Sequence, residues 1–342
     1  MKKILIRASI TFVVIVVVVL VIGFALPDKA HVERSTRIMA PPVTVFGLVN
    51  GFRQFERWSP WAGKDPDMKV TRSGPEYGVG AKYEWAGNSA VGTGSQEILT
   101  STANSEVTLD LRFGDSPLPS VATFRISPEA DGNSVLTWSL DIGLGGNPVN
   151  RYFGLFIDGI VGADYEIGLA RLKALAENLP HTDFSGLNIE LTDGAGTTYA
   201  YLSGTTTTNP GDIAKALADA YAKVAAALKT AKVTPGDGPL AINRRYDPDL
   251  KVYEFDAGLL VANADTPLPN GAVRYGQTPT GLVLKVTHTG AYSDLSAVYQ
   301  QMAAFEAVYG FADNGNTWEQ YLSDPNSTPE AERVTTINFP VK

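Results

Sequence analysis

Near its C-terminus the chain reads Trp318-Glu319-Gln320-Tyr321-Leu322-Ser323-Asp324-Pro325. A carboxylate set among Trp318, Tyr321 and the upstream Tyr292 can pair with a cation whose desolvated body stacks on the ring faces. In a dry pocket the same carboxylate would have a raised pKa and could act as a general base on water. Glu319 is therefore the one candidate catalytic group, and Glu319, Trp318, Tyr321, Tyr292, Tyr201 and Tyr275 are the candidate ligand-binding residues. For Tyr201 and Tyr275 the alternative is packing within a strand. For Glu319 it is a solvated helix position beside ordinary core aromatics.

Other chemistry has little to work with. The 342-residue chain has no cysteine, which excludes disulfides, thiolate metal sites and a cysteine nucleophile. Its three histidines, His31, His181 and His288, lie far apart and show no metal-ligand spacing, so neither a metal nor a cofactor is expected. No Gly-x-Ser-x-Gly and no phosphate loop occurs. His288 opens a His-Thr-Gly turn and reads as structural. Trp58, Trp61 and Trp85 either line an entrance or pack beneath a Trp-Ser-Pro-Trp turn. The net charge of -8 argues against a nucleic-acid partner, since phosphate binding needs a basic face.

The elements that must position these residues begin with an unusual segment. Ala8 to Leu26 is nineteen residues without a charge, long enough as a helix to span roughly 28 Å of hydrocarbon. Lys2, Lys3 and Arg7 precede it and Pro27 follows, so residues 1–27 read as a single-pass anchor with a cytoplasmic N-terminus and everything beyond exported, periplasmic or extracellular. A cleaved signal peptide is the alternative. Gly23-Phe24-Ala25 offers a small-x-small site, but the run exceeds the usual apolar region of such peptides.

A polar stretch, 28–35, is expected to link this helix to the first domain. Strands are expected at 36–39, 82–85, 94–100, 106–113, 121–127 and 135–142, with Val107, Leu109, Leu111 and Phe113 on one face. One long helix follows at about 150–179, weakened in its first half by Gly154, Gly159, Gly162 and Gly168. Residues 180–186 read as a linker. Beyond them two similar halves appear. Each has a strand (197–202, 281–288), a Gly, a helix (210–231, 293–309) and closing strand sequence (251–261, 333–341). The class is α+β, with an antiparallel sheet gripping one helix and then a pseudo-duplicated β-α-β-β domain.

Residues 31–180 resemble the SRPBCC superfamily, the helix-grip fold of START-like and polyketide-cyclase-like proteins. The likeness is carried by Ile38-Met39-Ala40-Pro41, Trp58-Ser59-Pro60-Trp61, Gly78-Val79-Gly80-Ala81 and Gly168-Leu169-Ala170-Arg171-Leu172-Lys173. Residues 187–342 resemble the GyrI-like, or effector-binding, domain through His288-Thr289-Gly290-Ala291-Tyr292, the Trp318–Pro325 string and Thr335 to Val341. The first resemblance implies an apolar ligand between sheet and helix. The second implies that Glu319 faces cationic, apolar ligands in an aromatic cleft. With the anchor expected at residues 1–27, they imply a bacterial, membrane-anchored protein of the cell envelope that binds amphipathic, lipophilic or cationic small molecules. The alternatives are a hydrolase of electrophilic xenobiotics with Glu319 as base, and a structural or partner-binding envelope protein.

Overall fold

Helix α1 (Lys2–Ala25) runs unbroken through the charge-free segment and stops just before Pro27, which has no N–H to continue it. The computed structural model describes all residues except Met1, Asp115, Pro117 and Asn270, and the side chains of residues 2–6 and 8 also lie outside the description. Lys2, Lys3 and Ala8, on which the expected anchor partly rests, are among those side chains. Among the described residues no helix is long and apolar enough to cross a membrane. From Ile10 to Phe24 the large apolar side chains of α1 are exposed.

The chain divides into two compact units, Met1–Asp183 with Ala304–Gly310, and Phe184–Ala303 with Phe311–Lys342. In the first, β1 (Lys29–Ile38) follows α1 almost at once. The expected polar linker at 28–35 is thus the start of a strand: Ala30 and Val32 turn inward while His31 and Glu33 face water. Its low hydrophobicity disguises a strand with only one buried face. Two short helices, α2 (Pro42–Val49) and α3 (Phe55–Trp58), lead to β2 (Lys69–Ser73), β3 (Lys82–Ala86), β4 (Thr93–Thr102), β5 (Glu106–Phe113), β6 (Ser120–Pro128) and β7 (Ser134–Gly143). These make one antiparallel sheet ordered β1-β7-β6-β5-β4-β3-β2. Val107, Leu109 and Leu111 face the core as expected, whereas Phe113, at the strand end, is exposed.

The long helix is split. A single turn, α4 (Pro148–Arg151), precedes α5 (Gly154–Glu177), which buries Tyr165, Leu169, Leu172 and Ala176 against the sheet. Gly168 permits the approach, because a Cβ there would stand 2.8 Å from the Trp138 ring and 3.1 Å from Pro60. Aromatic rings occupy the space between sheet and helix. Trp138 stacks on Tyr165 at 3.7 Å between centroids, and Trp58, Phe55, Tyr83 and Phe124 continue the cluster edge to face.

The second unit contains β8 (Ile189–Ala195), β9 (Thr198–Thr206), α6 (Pro210–Ala231), β10 (Pro239–Asp247), β11 (Val252–Leu260), β12 (Arg274–Gln277), β13 (Thr280–Thr289), α7 (Leu295–Tyr309) as far as Ala303, β14 (Trp318–Tyr321) and β15 (Val334–Pro340). The eight strands form one curled antiparallel sheet ordered β12-β9-β11-β10-β14-β15-β13-β8. The two β-α-β-β halves meet at the β10–β14 pair, so the centre of the sheet belongs to both. Asn209 caps α6 through its side chain on the Gly211 N–H, with Pro210 in the first turn.

Two substitutions test the aromatic packing of the first unit. Tyr165→Ala removes the stacked ring and is expected to cost about 3–5 kcal/mol in denaturant unfolding. Tyr83 is 2% exposed and its hydroxyl has no hydrogen-bond partner among the described residues. Tyr83→Phe is therefore expected to be neutral or to stabilise, by about 1 kcal/mol at most.

Candidate ligand site around Glu319

Glu319 lies on the four-residue strand β14, at the seam between the two halves, paired with Ala241 on one side and Ile337 on the other. Successive strand residues point to opposite faces of a sheet. Glu319 and Tyr321 therefore share one face, and Trp318 and Gln320 the other.

On the Glu319 face each carboxylate oxygen accepts a tyrosine hydroxyl: Oε1 from Tyr299 of α7 at 2.8 Å, and Oε2 from Tyr321 at 2.5 Å. The network extends through Asn243 of β10. Its Nδ2 donates to the Tyr299 hydroxyl at 2.8 Å and to Thr317 Oγ1 at 3.1 Å, and its Oδ1 accepts from Tyr253 at 2.7 Å. Tyr292 meets Tyr321 edge to face at 5.5 Å, and the Arg333 guanidinium lies over the Tyr292 ring at 5.3 Å. Tyr221 of α6 is half-buried close by, and its enclosed hydroxyl has no partner among the described residues.

The residue keeps part of its surface open to solvent, but its carboxylate is enclosed. Burial pushes the carboxyl above the usual range, opposed by hydrogen bonds from Tyr321, Tyr299 and Asn243, which favour the ionised form. Burial, reinforced by the Glu319 charge, also holds Tyr221, Tyr299 and Tyr321 well above an ordinary phenol. All three remain protonated at any ordinary pH, and Tyr299 and Tyr321 stay donors to the carboxylate. Among the described residues, every group that holds the carboxylate is neutral. A desolvated carboxylate met, among the described residues, by hydroxyls and an amide is suited to receive a positive charge.

Of the six residues singled out from the sequence, the structure brings together Glu319, Tyr321 and Tyr292. It does not bring in the other three. Trp318 packs on the opposite face with Tyr199, Leu240, Ile242 and Val283, and Tyr201 lies against the same cluster. Tyr275 packs beside Val224 and Leu228 near the far end of α6, its hydroxyl donating to the Thr266 carbonyl at 2.8 Å. A cavity of about 200 Å³ opens on the Trp318 side of the sheet, lined by Lys285, Thr336 and Asn338 among others, and is separate from the Glu319 cage. Sequence reasoning missed Tyr299, Tyr253, Tyr221 and Asn243. Tyr221 sits in the inward stripe of α6, where an aromatic reads as core. Among the described residues, no group of three or more His, Asp or Glu side chains could hold a metal ion.

Residues 29–177 match the family of polyketide cyclases, dehydrases and lipid transport proteins, and residues 187–342 match the GyrI-like small molecule binding domain. The chain is thus an SRPBCC-like domain followed by a GyrI-like domain, an architecture that points to small-molecule binding. No curated protein matches it. Among solved structures it is similar to EcmrR in its DNA complex, at 15% identity and a TM-score of 0.40, over 46% of this chain and 57% of that one. The C-terminal domain of EcmrR aligns at 15% identity and a TM-score of 0.38, covering 46% of this chain and 98% of that one. A hydrolase from Listeria innocua aligns at 16% identity and a TM-score of 0.34, covering 45% and 92%. Likenesses this distant carry no functional argument.

The burial of Glu319 has a stability consequence. Because its folded pKa is raised, the folded state binds the proton more tightly than the unfolded chain. The wild type should lose stability as pH rises from about 4.5 through the raised value, then level off. Glu319→Gln removes that dependence. The difference in Tm, variant minus wild type, should therefore climb over this window. A difference that falls with rising pH would mean that the tyrosine hydrogen bonds outweigh burial.

Proposed function

We propose that this chain is a membrane-anchored, exported small-molecule-binding protein whose second domain takes lipophilic cations at Glu319. The observation that carries the ligand reading is the enclosed carboxylate, held by Tyr299 and Tyr321 and, among the described residues, by no cationic side chain. A bound cation would supply the missing counter-charge, and the surrounding tyrosine faces would accept its apolar body. The first domain's interior is filled by aromatic rings, so the ligand is assigned to the second domain alone. Support for the anchor is the continuity of α1 over a run that is apolar on every side and carries no charge from Ala8 to Leu26. The acidic net charge of -8 supports a partner other than nucleic acid.

Calorimetric titration of the full-length protein with tetraphenylphosphonium tests the site. Affinity should rise with pH through the raised pKa of Glu319, because only the ionised carboxylate attracts the cation. Glu319→Gln should weaken binding by about 1.5–3 kcal/mol, roughly ten- to a hundred-fold, and flatten the pH profile. A neutral compound of similar shape should bind both forms alike. If the domain were instead a hydrolase with Glu319 as base, the same variant would keep its affinity and lose turnover. Equal cation affinity in both forms, with no turnover, would remove Glu319 from the site.

The anchor is tested separately. The protein should stay with membranes after an alkaline carbonate wash, and a reporter fused after Lys342 should be active only outside the cytoplasm. Recovery in the soluble fraction would mean that the segment is cleaved.

A further inference from the structure

An apolar surface at the start of α5 continues the exposed flank of α1. Phe153, Phe156 and Ile160 are 67%, 65% and 67% exposed, with Val149 and Leu155 beside them. Phe156 and Ile160 lie one turn apart on α5, Phe153 is the residue that leads into it, and Val149 sits on the preceding turn α4, so the exposed apolar side chains gather at the start of the helix. The opposite face of α5, with Tyr165 and Leu169, is the one committed to the sheet. Solitary exposed apolar residues need no explanation, but five bulky ones within twelve positions form a patch of the kind that marks a binding surface.

The segment is fixed against α1 rather than merely near it. The Tyr152 hydroxyl donates to the Val19 carbonyl at 2.7 Å, and Arg151 Nη1 donates to the carbonyls of Phe24 and Leu26 at 2.9 Å each. The Arg151 guanidinium also lies over the Phe24 ring. Gly23 makes the contact possible, since a Cβ there would stand 2.7 Å from the Pro148 carbonyl oxygen. Val19 is seven residues before Leu26, so Tyr152 reaches about 10 Å back along the helix from its end. Because β1 starts at Lys29, only a few residues separate α1 from the domain.

Charge follows the same logic. Between Pro148 and Gly162 the ionisable side chains other than tyrosine are Arg151 and Asp158. Arg151 is taken up by the carbonyls at the end of α1, and Asp158 by Arg34 of β1 at 2.9 and 3.2 Å. The patch presents no unpaired charge to whatever covers it.

We propose that residues 149–160 are a membrane-docking surface: the turn between α4 and α5 lies in the outer leaflet beside α1, with Phe153 and Phe156 among the lipid chains. The proposal rests on the anchor reading of α1, since a surface joined to that helix at the level of Val19 must share its solvent. With no basic cluster on the patch, the attraction is apolar and does not call for anionic lipid. The first domain would then be held at a fixed orientation on the bilayer instead of swinging from a tether.

The cysteine-free chain allows a direct test. Single cysteines replace Phe153, Phe156, Val17 (in α1) or Leu250 (an exposed apolar position in the second domain) and carry an environment-sensitive fluorophore. The full-length protein is reconstituted in phosphatidylcholine vesicles containing spin-labelled lipid. Probes at 153 and 156 should emit to the blue and be quenched as strongly as the probe at 17, while the probe at 250 stays unquenched. Quenching at 17 with water-like emission at 153 and 156 would overturn the docking surface and leave the anchor standing. Absence of quenching at 17 would overturn the anchor, and the docking surface with it.

Discussion

A carboxylate taken out of water must be compensated from inside the protein, and much of the second domain's central architecture follows from how Glu319 is held. Both of its oxygens accept tyrosine hydroxyls, one from α7 and one from its own strand. Asn243, on the strand of the other half, orients Tyr299 while accepting from Tyr253. The seam of the duplicated fold is thus tied by a polar network whose members come from both halves. Such a network stabilises the carboxylate without cancelling its charge.

The first domain solves a different problem. Its helix α5 approaches the sheet closely enough at Gly168 for Trp138 and Tyr165 to stack, and the rings of Phe55, Trp58, Tyr83 and Phe124 fill the remainder. A close-packed interior of this kind is rigid, as suits a platform. The other half of the same helix carries the exposed patch from Phe153 to Ile160, so α5 is core at one end and surface at the other. Its short lead-in, α4, is fixed to α1, and β1 begins only a few residues after that helix ends. The charge-free helix and the first domain consequently form one mechanical piece.

Much of this was legible in the chain itself. Helix α6 begins at Pro210 and ends at Ala231, the range expected from the sequence, and β5 covers 106–113 as its alternation implies. Local signals of this sort depend only on neighbours a few residues apart. Residues 28–35 were misread because a strand with one buried face can look like a polar linker. Strands β10 and β14 escaped notice; β14 is only four residues long and is held by β10 on one side and β15 on the other.

The sequence determined by itself that Glu319 sits in an aromatic-rich string with Tyr321 two residues on, and that no cysteine, histidine cluster or nucleophile motif competes with it. Only the tertiary structure decided who joins it. Strand periodicity turns Trp318 to the other face, although it is the immediate neighbour in sequence. Tyr299 and Asn243, separated from Glu319 by tens of residues, enter its network because α7 packs over the sheet and β10 pairs with β14. Adjacency along a strand separates side chains, and folding reunites distant ones. A site built across the seam of a duplicated sheet therefore cannot be read from any single stretch of chain.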